Sequence, residues 1–276
     1  MRPADTDIDT TDLGTEPAPL ALTRLDEDLF EGWCHDARPG VVYGGQVAAH
    51  ALVAAGSTVE AGRVPHSLHA YFVRAGRAEE PVQYRAERVR DGRSFTTRQV
   101  SAVQSGKTIF IMLASFQRAE DGYEHQFTGS DLPEPPGDEP APSLVRNSAV
   151  GSLIDMRLAD RDWDGARLRF WLRTRDRLTD DPLIHAAAFT YASDMFLGFT
   201  SILPHNGRKL MPITSLDHAI WFHRPFRADE WLLSAQHSST AAGSRGFSSS
   251  DLLTAEGILV ATAQQEALIR PPAGRL

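Results

Sequence analysis

The stretch HAYFVRAGRAEEPVQYRAERVRDGRSFTTRQVSAVQSGKTIFIMLASFQ, residues 69 to 117, decides the fold because a second stretch repeats its pattern. The second stretch, HAIWFHRPFRADEWLLSAQHSSTAAGSRGFSSSDLLTAEGILVATAQQEALI, begins at His218. The two histidine-alanine starts, the two Arg-x-Phe turns and the turn glycines Gly106 and Gly257 are each separated by about 150 positions. The chain therefore contains an internal duplication.

Each repeat has the alternating pattern of long strands. The segments PVQYRAERVR, SFTTRQVSAVQ and KTIFIMLASFQ in the first repeat correspond to EWLLSAQHSS, GFSSSDLL and ILVATAQQEALI in the second. Short glycine-containing turns, DGRS, QSGK and AEGI, separate these strands. The pattern predicts two antiparallel meanders.

One apolar helix precedes each meander. The first, GGQVAAHALVAAG, runs from Gly44 to Gly56; the second has Asp181 as its N-cap, Pro182 at its first position and Gly198 at its end. Both are apolar nearly all round, which is typical of buried helices. We therefore expect an α+β fold, a double hotdog in which two antiparallel sheets each wrap around a central helix in one chain.

Composition and charge exclude several classes of function. The 276 residues carry a net charge of -8, and a nucleic-acid or anionic-membrane partner needs a concentrated positive field, so we expect neither partner. The single cysteine, Cys34, excludes an internal disulfide, and no histidine or carboxylate spacing favours a metal site. We expect no cofactor. Because the polar start resembles no signal sequence and no apolar run reaches about 18 residues, we expect a cytoplasmic protein.

A proline-rich acidic segment divides the chain. SDLPEPPGDEPAPS, residues 130 to 143, has five prolines and four acids and no apolar pattern. The expected organisation is a disordered leader (1–19), an N-terminal hotdog (20–130), a linker (131–143), a C-terminal hotdog with the catalytic residues (144–271) and a tail (272–276).

Five stretches resemble the type II acyl-CoA thioesterase family. They are VYGGQV (42–47), HSLHAYFVRAG (66–76), RDGRSFTTRQV (90–100), YASD (191–194) and LDHAIWFHRPF (216–226). The resemblance implies hydrolysis of fatty acyl-CoA to a free fatty acid and CoA. It also supports the double-hotdog fold expected from the repeat.

The same resemblance implies three catalytic residues. Asp194 matches the aspartate of YASD, Ser215 precedes the Leu-Asp-His stretch where the family often has threonine, and Gln265 lies in the last strand, where Gln264 is an equally suitable neighbour. Hydrolysis of a thioester needs a positioned water, a proton acceptor and donors to the oxyanion. No Gly-x-Ser-x-Gly motif occurs, so direct attack by water is favoured. A structural role remains open for each residue: Asp194 as a hydrogen-bonded carboxylate of the helix, Ser215 as a hydroxyl at a strand end, and Gln265 as a buried amide.

Substrate-binding residues are expected in the first half. The resemblance places carbonyl binding at the start of the first helix, on Gly44, Gly45 or Gln46, although the glycines also suit tight packing. His66, Arg93 and Tyr71 complete the expected set. The basic turn RVRDGRS with Arg98 suits either CoA phosphates or a solvated hairpin end, and the histidines equally suit packing.

The duplication predicts one working centre per chain. Superposing the helix ends and strands places Asp194 over Leu52, Ser215 over His66 and Gln265 over Ala114. The mirrored position therefore lacks the acid and the amide.

Two other activities stay open at this point: a non-hydrolytic acyl-CoA-binding protein, and another hotdog activity such as enoyl-CoA hydratase. Hydratases of this fold carry a histidine and an aspartate in a short motif, and a binding protein would be expected to lose the acid that Asp194 provides. We also expect a homo-oligomer, formed through exposed sheet edges.

Overall fold

The computed structural model describes residues 18–127, 131–137, 143–145, 149–205 and 213–270. These residues form three α-helices: α1 (Gly44–Gly56), α2 (Pro182–Ser193) and α3 (Leu197–Thr200). The strands are β1 (Thr23–Asp26), β2 (Leu29–Gly32), β3 (Asp36–Arg38), β4 (Val41–Val42), β5 (Arg63–Phe72), β6 (Val82–Asp91), β7 (Phe95–Gln104), β8 (Lys107–Arg118), β9 (Ile154–Asp162), β10 (Arg167–Thr174), β11 (Ile213–Ser215), β12 (Asp217–Phe222), β13 (Leu232–Ala242), β14 (Arg245–Thr254) and β15 (Leu259–Ile269).

One antiparallel sheet contains thirteen of these strands. Its order is β1-β2-β6-β7-β8-β5-β12-β15-β14-β13-β10-β9, with β11 paired to β15 beside β12, while β3 and β4 form a separate pair. Both expected meanders, β6-β7-β8 and β13-β14-β15, are present within three residues of their predicted limits. The two halves join edge to edge, because β5 pairs with β12.

Helix α1 has the predicted limits, and every residue from Gly45 to Ala55 is buried. It contacts β5, β6, β7 and β8 on one side and α2 on the other. Since no polar face is left for solvent, burial against the sheet and α2 stabilises this alanine-rich helix.

Helix α2 ends five residues earlier than the sequence predicted. Asp181 caps its start, as expected, by accepting from the Leu183 N–H at 2.9 Å. The helix stops at Ser193, and the backbone of Phe196 is left-handed, with φ of 67°. A non-glycine residue in that conformation interrupts a right-handed helix. Asp194 is therefore the C-cap residue and not a residue of the helix.

The register of the central pair corrects the mirrored positions. The Val73 and Arg74 N–H groups both donate to the Ile109 carbonyl, and the His223 and Arg224 N–H groups both donate to the Val260 carbonyl. Equivalent residues of β5 and β12 therefore differ by 150 positions, and His69 is equivalent to its partner Ala219, not His218. Ser215 is then equivalent to Pro65, and the ends of α1 and α2 make Asp194 equivalent to Ser57. The predicted equivalents His66 and Leu52 were wrong, by one residue and by five.

The third mirrored position was correct. His69 pairs with Leu113 in β8 and Ala219 pairs with Gln264 in β15, so the next residues, Ala114 and Gln265, are equivalent.

The ends and the linker are described in part. A short 3-10 helix, Ala18–Leu20, begins inside the expected leader, and Leu20 is buried. Residues 131–137 of the linker have no regular secondary structure, whereas the rest of the leader, residues 138–142 and the tail lie outside the described residues. Within the described ranges, every helix falls short of the length and hydrophobicity that a bilayer-spanning segment needs.

Candidate active site

A cavity of about 890 Å³ lies where the two halves meet. The start of α1, the ends of β4 and β5, the segment after α2, and β11 and β15 all contribute to its wall. Its lining includes Tyr43, Gly44, Phe72, Phe110, Asp194, Met195, Phe196, Phe199, Ser215 and Gln265. Most of the wall is apolar, with a small polar group at one place, which is typical of a ligand site.

The three expected catalytic residues form one hydrogen-bonded chain. Ser215 Oγ donates to Asp194 Oδ1 at 2.8 Å, and Gln265 Nε2 donates to Ser215 Oγ at 3.0 Å. The early end of α2 allows this contact, because the C-cap position turns the carboxylate toward β11. The serine hydroxyl thus uses its donor on the acid and its acceptor on the amide.

Gln265, not Gln264, faces the cavity. Gln265 is 2% exposed. Side chains alternate along a strand, so Gln264 lies on the opposite face of β15. The alternation resolves the one-residue uncertainty that the sequence left.

His218 belongs to the same network, and the sequence analysis missed it. Its Nδ1 donates to Gln265 Oε1 at 2.7 Å, and its Nε2 lies 2.8 Å from the Ser193 hydroxyl. Burial lowers the pKa of His218, although the charge of Asp194 opposes that effect, so the ring is neutral near pH 7. The sequence signal was present in Leu-Asp-His, directly after Ser215.

The start of α1 lies against the acid. A Cβ added to Gly44 would lie 2.9 Å from Asp194 Oδ2 and 2.8 Å from Phe72 Cε1, so only glycine fits this approach without displacement. The N-cap residue, Tyr43, makes no side-chain capping bond. The first N–H groups of α1 have no acceptor within the helix and can serve a ligand.

A tyrosine pair supports this helix start. Tyr43 donates to the Tyr191 carbonyl at 2.8 Å, and the Tyr191 hydroxyl bonds His35 Nε2. Burial and, second, the charge of Asp194 raise the pKa of Tyr43 well above its ordinary value, so the phenol remains a donor. The pair joins α1 to α2 beside the carboxylate.

Three expected binding residues have other environments. The Gln46 N–H, expected at the substrate carbonyl, donates to the Tyr43 carbonyl at 3.2 Å, and the buried Gln46 side chain bonds the His35 N–H and the carbonyls of Pro19 and Trp33. Tyr71 is 66% exposed because alternation along β5 turns it away from the cavity that Phe72 lines. Arg93 is an exposed residue of the β6–β7 hairpin, outside the cavity wall.

His66 and Arg98 are also elsewhere. His66 lines a different, smaller cavity and bonds the Ser115 hydroxyl at 2.8 Å. Arg98 is 1% exposed and bonds Asp91 and Thr58, so it is not free to meet phosphates. Two exposed cations that the sequence analysis did not single out, Arg38 and Arg74, line the mouth of the large cavity.

Metal ligands do not gather in the described part of the chain. No group of three histidine, cysteine, aspartate or glutamate side chains there is close enough to hold a metal ion.

Comparison with known protein families places the chain among the hydrolases of acyl thioesters. The family model described as acyl-CoA thioesterase N-terminal domain matches residues 32–117, and the model described as acyl-CoA thioesterase C-terminal domain matches residues 129–269. The chain belongs to the acyl-CoA thioesterase family. Its activity is hydrolysis of acyl-CoA, in place of hydration or of binding without turnover.

Individual relatives span nearly the whole chain. Human acyl-coenzyme A thioesterase 8 is 38% identical, over 91% of this chain and 87% of its own length. Acyl-CoA thioesterase 2 of Haemophilus influenzae is 35% identical, over 91% of this chain and 95% of its own length. The crystal structure of the acyl-CoA thioesterase II TesB2 of Mycobacterium marinum is 39% identical, with a TM-score of 0.80 over 94% of this chain and 98% of that one.

Proposed function

We propose that the chain hydrolyses fatty acyl-CoA by direct attack of a water held by Asp194. The bond between Ser215 Oγ and Asp194 Oδ1 carries this proposal, because it occupies one carboxylate oxygen. The other, Oδ2, is the oxygen beside Gly44, where the cavity begins. A water bound there has both a proton acceptor and a path to the thioester carbon.

The steps balance without a covalent enzyme intermediate. Asp194 takes a proton as the water oxygen bonds to the carbonyl carbon, and the N–H groups of Gly44 and Gly45 stabilise the oxyanion. The C–S bond then breaks, the oxyanion reforms a carbonyl, and Asp194 returns the proton to the departing CoA sulfur. The products are a fatty acid and CoA, and the carboxylate is regenerated.

The two ends of the substrate fit the two ends of the cavity. Met195, Phe196 and Phe199 supply an apolar wall for the acyl chain. At the mouth, Arg38 and Arg74 have no carboxylate within ion-pair distance among the described residues, so their charges are available to the phosphates of CoA.

We further propose that residues 20–130 and 144–271 are two hotdog units, which extends the observed antiparallel sheet to a double hotdog. Burial of α1 and the mirrored strand order support this arrangement.

A second copy of the chain is the proposed partner of the outer sheet surface. Tyr71, Ile111 and Leu113 on adjacent strands β5 and β8 are 66%, 39% and 46% exposed. Apolar side chains clustered on one face favour burial in a homo-oligomer. We expect light scattering to give a multiple of the chain mass that Leu113→Glu lowers; a wild-type monomer would contradict this.

The central experiment replaces the acid by its amide. Asp194→Asn keeps the shape but removes the proton acceptor, so thiol release from acyl-CoA should fall by about 100-fold or more. Thermal stability should hold or rise, because a neutral amide beside apolar groups costs less to bury than an ion. Asp251→Asn, on an exposed carboxylate of β14, is the matched control. Near-normal turnover in folded Asp194→Asn would exclude this mechanism.

A further inference from the structure

A second cavity, of about 300 Å³, occupies the mirrored position of the active site. It lies at the start of α2 and the end of β12, as the large cavity lies at the start of α1 and the end of β5. With the 150-position relationship of the strands, Phe222 and Arg224 of this cavity are equivalent to Phe72 and Arg74 of the other. The duplication has therefore preserved two pockets in one chain.

The mouth of the second pocket keeps the cation of the first. Arg74 Nη1 donates to the Thr108 carbonyl at 2.6 Å, and Arg224 Nη1 donates to the equivalent carbonyl, of Leu259, at 2.9 Å. Neither arginine has a carboxylate within ion-pair distance among the described residues. Both pockets thus present a guanidinium without a carboxylate partner, held by an equivalent carbonyl; Arg224 Nη2 also donates to the His125 carbonyl at 3.2 Å.

The hydrolytic groups are absent from the second pocket. Pro65 and Ala114 stand where the active site has Ser215 and Gln265, and Ser57 follows α1 where Asp194 follows α2. Without a carboxylate or an amide at these positions, a bound thioester would not be cleaved.

The start of α2 also lacks oxyanion donors. Pro182 has no N–H, and the Leu183 N–H donates to the Asp181 side chain. In α1, the side chain of the corresponding N-cap residue, Tyr43, makes no capping bond to the helix N–H groups.

Room for an acyl chain is reduced as well. Phe226 replaces Gly76, and its ring stacks on Phe222 with 13° between their planes and contacts Phe189 edge-on. The remaining 300 Å³ is about a third of the 890 Å³ in the active site. It is at the lower end of volumes that hold a small ligand.

A buried donor in this pocket has no partner. The Ala228 N–H donates to His185 Nδ1 at 3.0 Å, so the neutral ring carries its proton on Nε2. His185 is 3% exposed, and its Nε2 has no partner in ordinary hydrogen-bond geometry within the described residues; the nearby Thr179 backbone raises the pKa of the ring only against a larger lowering by burial. A buried N–H of this kind requires an acceptor, which a ligand carbonyl can supply.

We propose that the second pocket binds CoA without hydrolysing acyl-CoA. An amide carbonyl of the pantetheine arm accepts from His185 Nε2, the arm lies against Phe222 and Phe226, and the phosphates meet Arg224 at the mouth. This inference rests on the proposed function, because it assigns to Arg224 the role proposed for Arg74.

The test is a calorimetric titration of the full chain with CoA, which the enzyme does not consume. Wild type should bind two CoA per chain. Arg224→Gln, which removes the charge, should weaken one of the two sites about tenfold and leave the initial rate of hydrolysis unchanged. The matched variant Arg74→Gln should weaken the other site and raise KM. His223→Glu, at an exposed rim position, gives a second variant that should repel phosphate.

Three results would overturn the second site: one CoA per chain in wild type, an Arg224→Gln titration identical to wild type, or displacement of both CoA molecules by decanoate alone. The outcome is independent of the hydrolytic mechanism. If the Asp194→Asn variant stays active, the proposed mechanism is refuted, but the measured CoA stoichiometry still stands. If Asp194→Asn inactivates the enzyme but wild type binds one CoA per chain, only the second site is refuted.

Discussion

A single imidazole lies at the end of the hydrogen-bond chain in the active site. The Gln265 amide presents its oxygen to His218 Nδ1 and its nitrogen to Ser215, whose hydroxyl donates to Asp194; in this arrangement the proton of the ring is on Nδ1. A rotated amide would present its oxygen to Ser215 and compete for that proton. His218 touches neither the carboxylate nor the proposed water, so it is a positioning residue.

Replacing His218 tests this role. His218→Phe keeps a ring of similar size but removes the Nδ1 donor, and kcat should fall about tenfold while KM changes little. In a Gln265→Ala background, His218→Phe should lower kcat little further, since the histidine acts through that amide. Equal losses in both backgrounds, measured as hydrolysis rates with thermal midpoints, would assign His218 a purely structural role.

At this scale, the sequence identified the residues but not their environments. Asp194, Ser215 and Gln265 were reached through a family resemblance, and they do form one network. Tyr71 was misplaced because the face of a strand depends on its register, and one residue of error turns a side chain outward. His218 was missed because a histidine next to a strand is informative only once its partner is known.

At the scale of elements, the two main helices differ most at their starts. Helix α2 has a proline and a capping aspartate, which are strong sequence signals for a helix start, while α1 begins with two glycines and a cap residue whose side chain does not cap the helix. The poorly capped helix is the one that points into the active site. Its free N–H groups cost stability and are available to the substrate.

A methyl group at the start of α1 should separate activity from stability. In Gly44→Ala, the added carbon meets Phe72 and Asp194 Oδ2 at less than 3 Å. We expect hydrolysis to fall about 100-fold from displacement of the acid, with a stability loss of about 1–3 kcal/mol. The control is Pro182→Ala at the equivalent position of α2, which should leave the rate unchanged. Full activity in Gly44→Ala would show that this approach is not part of the site.

The buried His50 on α1 should make the free energy of unfolding depend on pH. His50 Nε2 bonds the Pro19 carbonyl and Nδ1 bonds Tyr84, and burial lowers the pKa of His50 to about 4. Between that value and about 6.5, the unfolded chain binds a proton that the folded chain does not. Stability should therefore fall as pH drops from about 6.5 toward 4, by at most about 3 kcal/mol from this group.

Urea unfolding at pH 7, 6 and 5 measures this effect. His50→Gln can still bond the same two oxygens, and its stability should vary less with pH. Parallel curves for the two proteins would show that another group titrates.

Elements were predictable where their signals are local. Glycine turns and period-two alternation gave both meanders, and the apolar run with flanking glycines gave α1. The end of α2 was not predictable, because Gly198 is an ordinary stop signal and nothing in the sequence of Phe196 indicates a left-handed backbone. Gln236 from β13 bonds the Met195 carbonyl at 3.1 Å, so a distant strand helps to hold this break.

At the scale of the whole molecule, one active site is shared between two duplicated halves. The second half supplies Asp194, Ser215 and Gln265, and the first half supplies Gly44 and the apolar wall at Phe72. The pairing of β5 with β12 and the packing of α1 on α2 join the halves. In the proposed mechanism, the first half therefore carries no catalytic side chain but is still needed for the site.

Cutting the chain between its halves tests this division. A protease site inserted at exposed Gly137, where no side chain packs, should allow cleavage without loss of hydrolysis, because the sheet and the helices still join the two pieces. Residues 144–276 alone carry the whole Asp-Ser-Gln network, yet they lack the helix start that we propose binds the carbonyl. We expect that fragment to release thiol at least about 100-fold more slowly. Adding residues 1–137 should restore activity in proportion to complex formed, measured by thiol release and size-exclusion chromatography. Full activity in the C-terminal fragment alone would show that the first half takes no part in the chemistry.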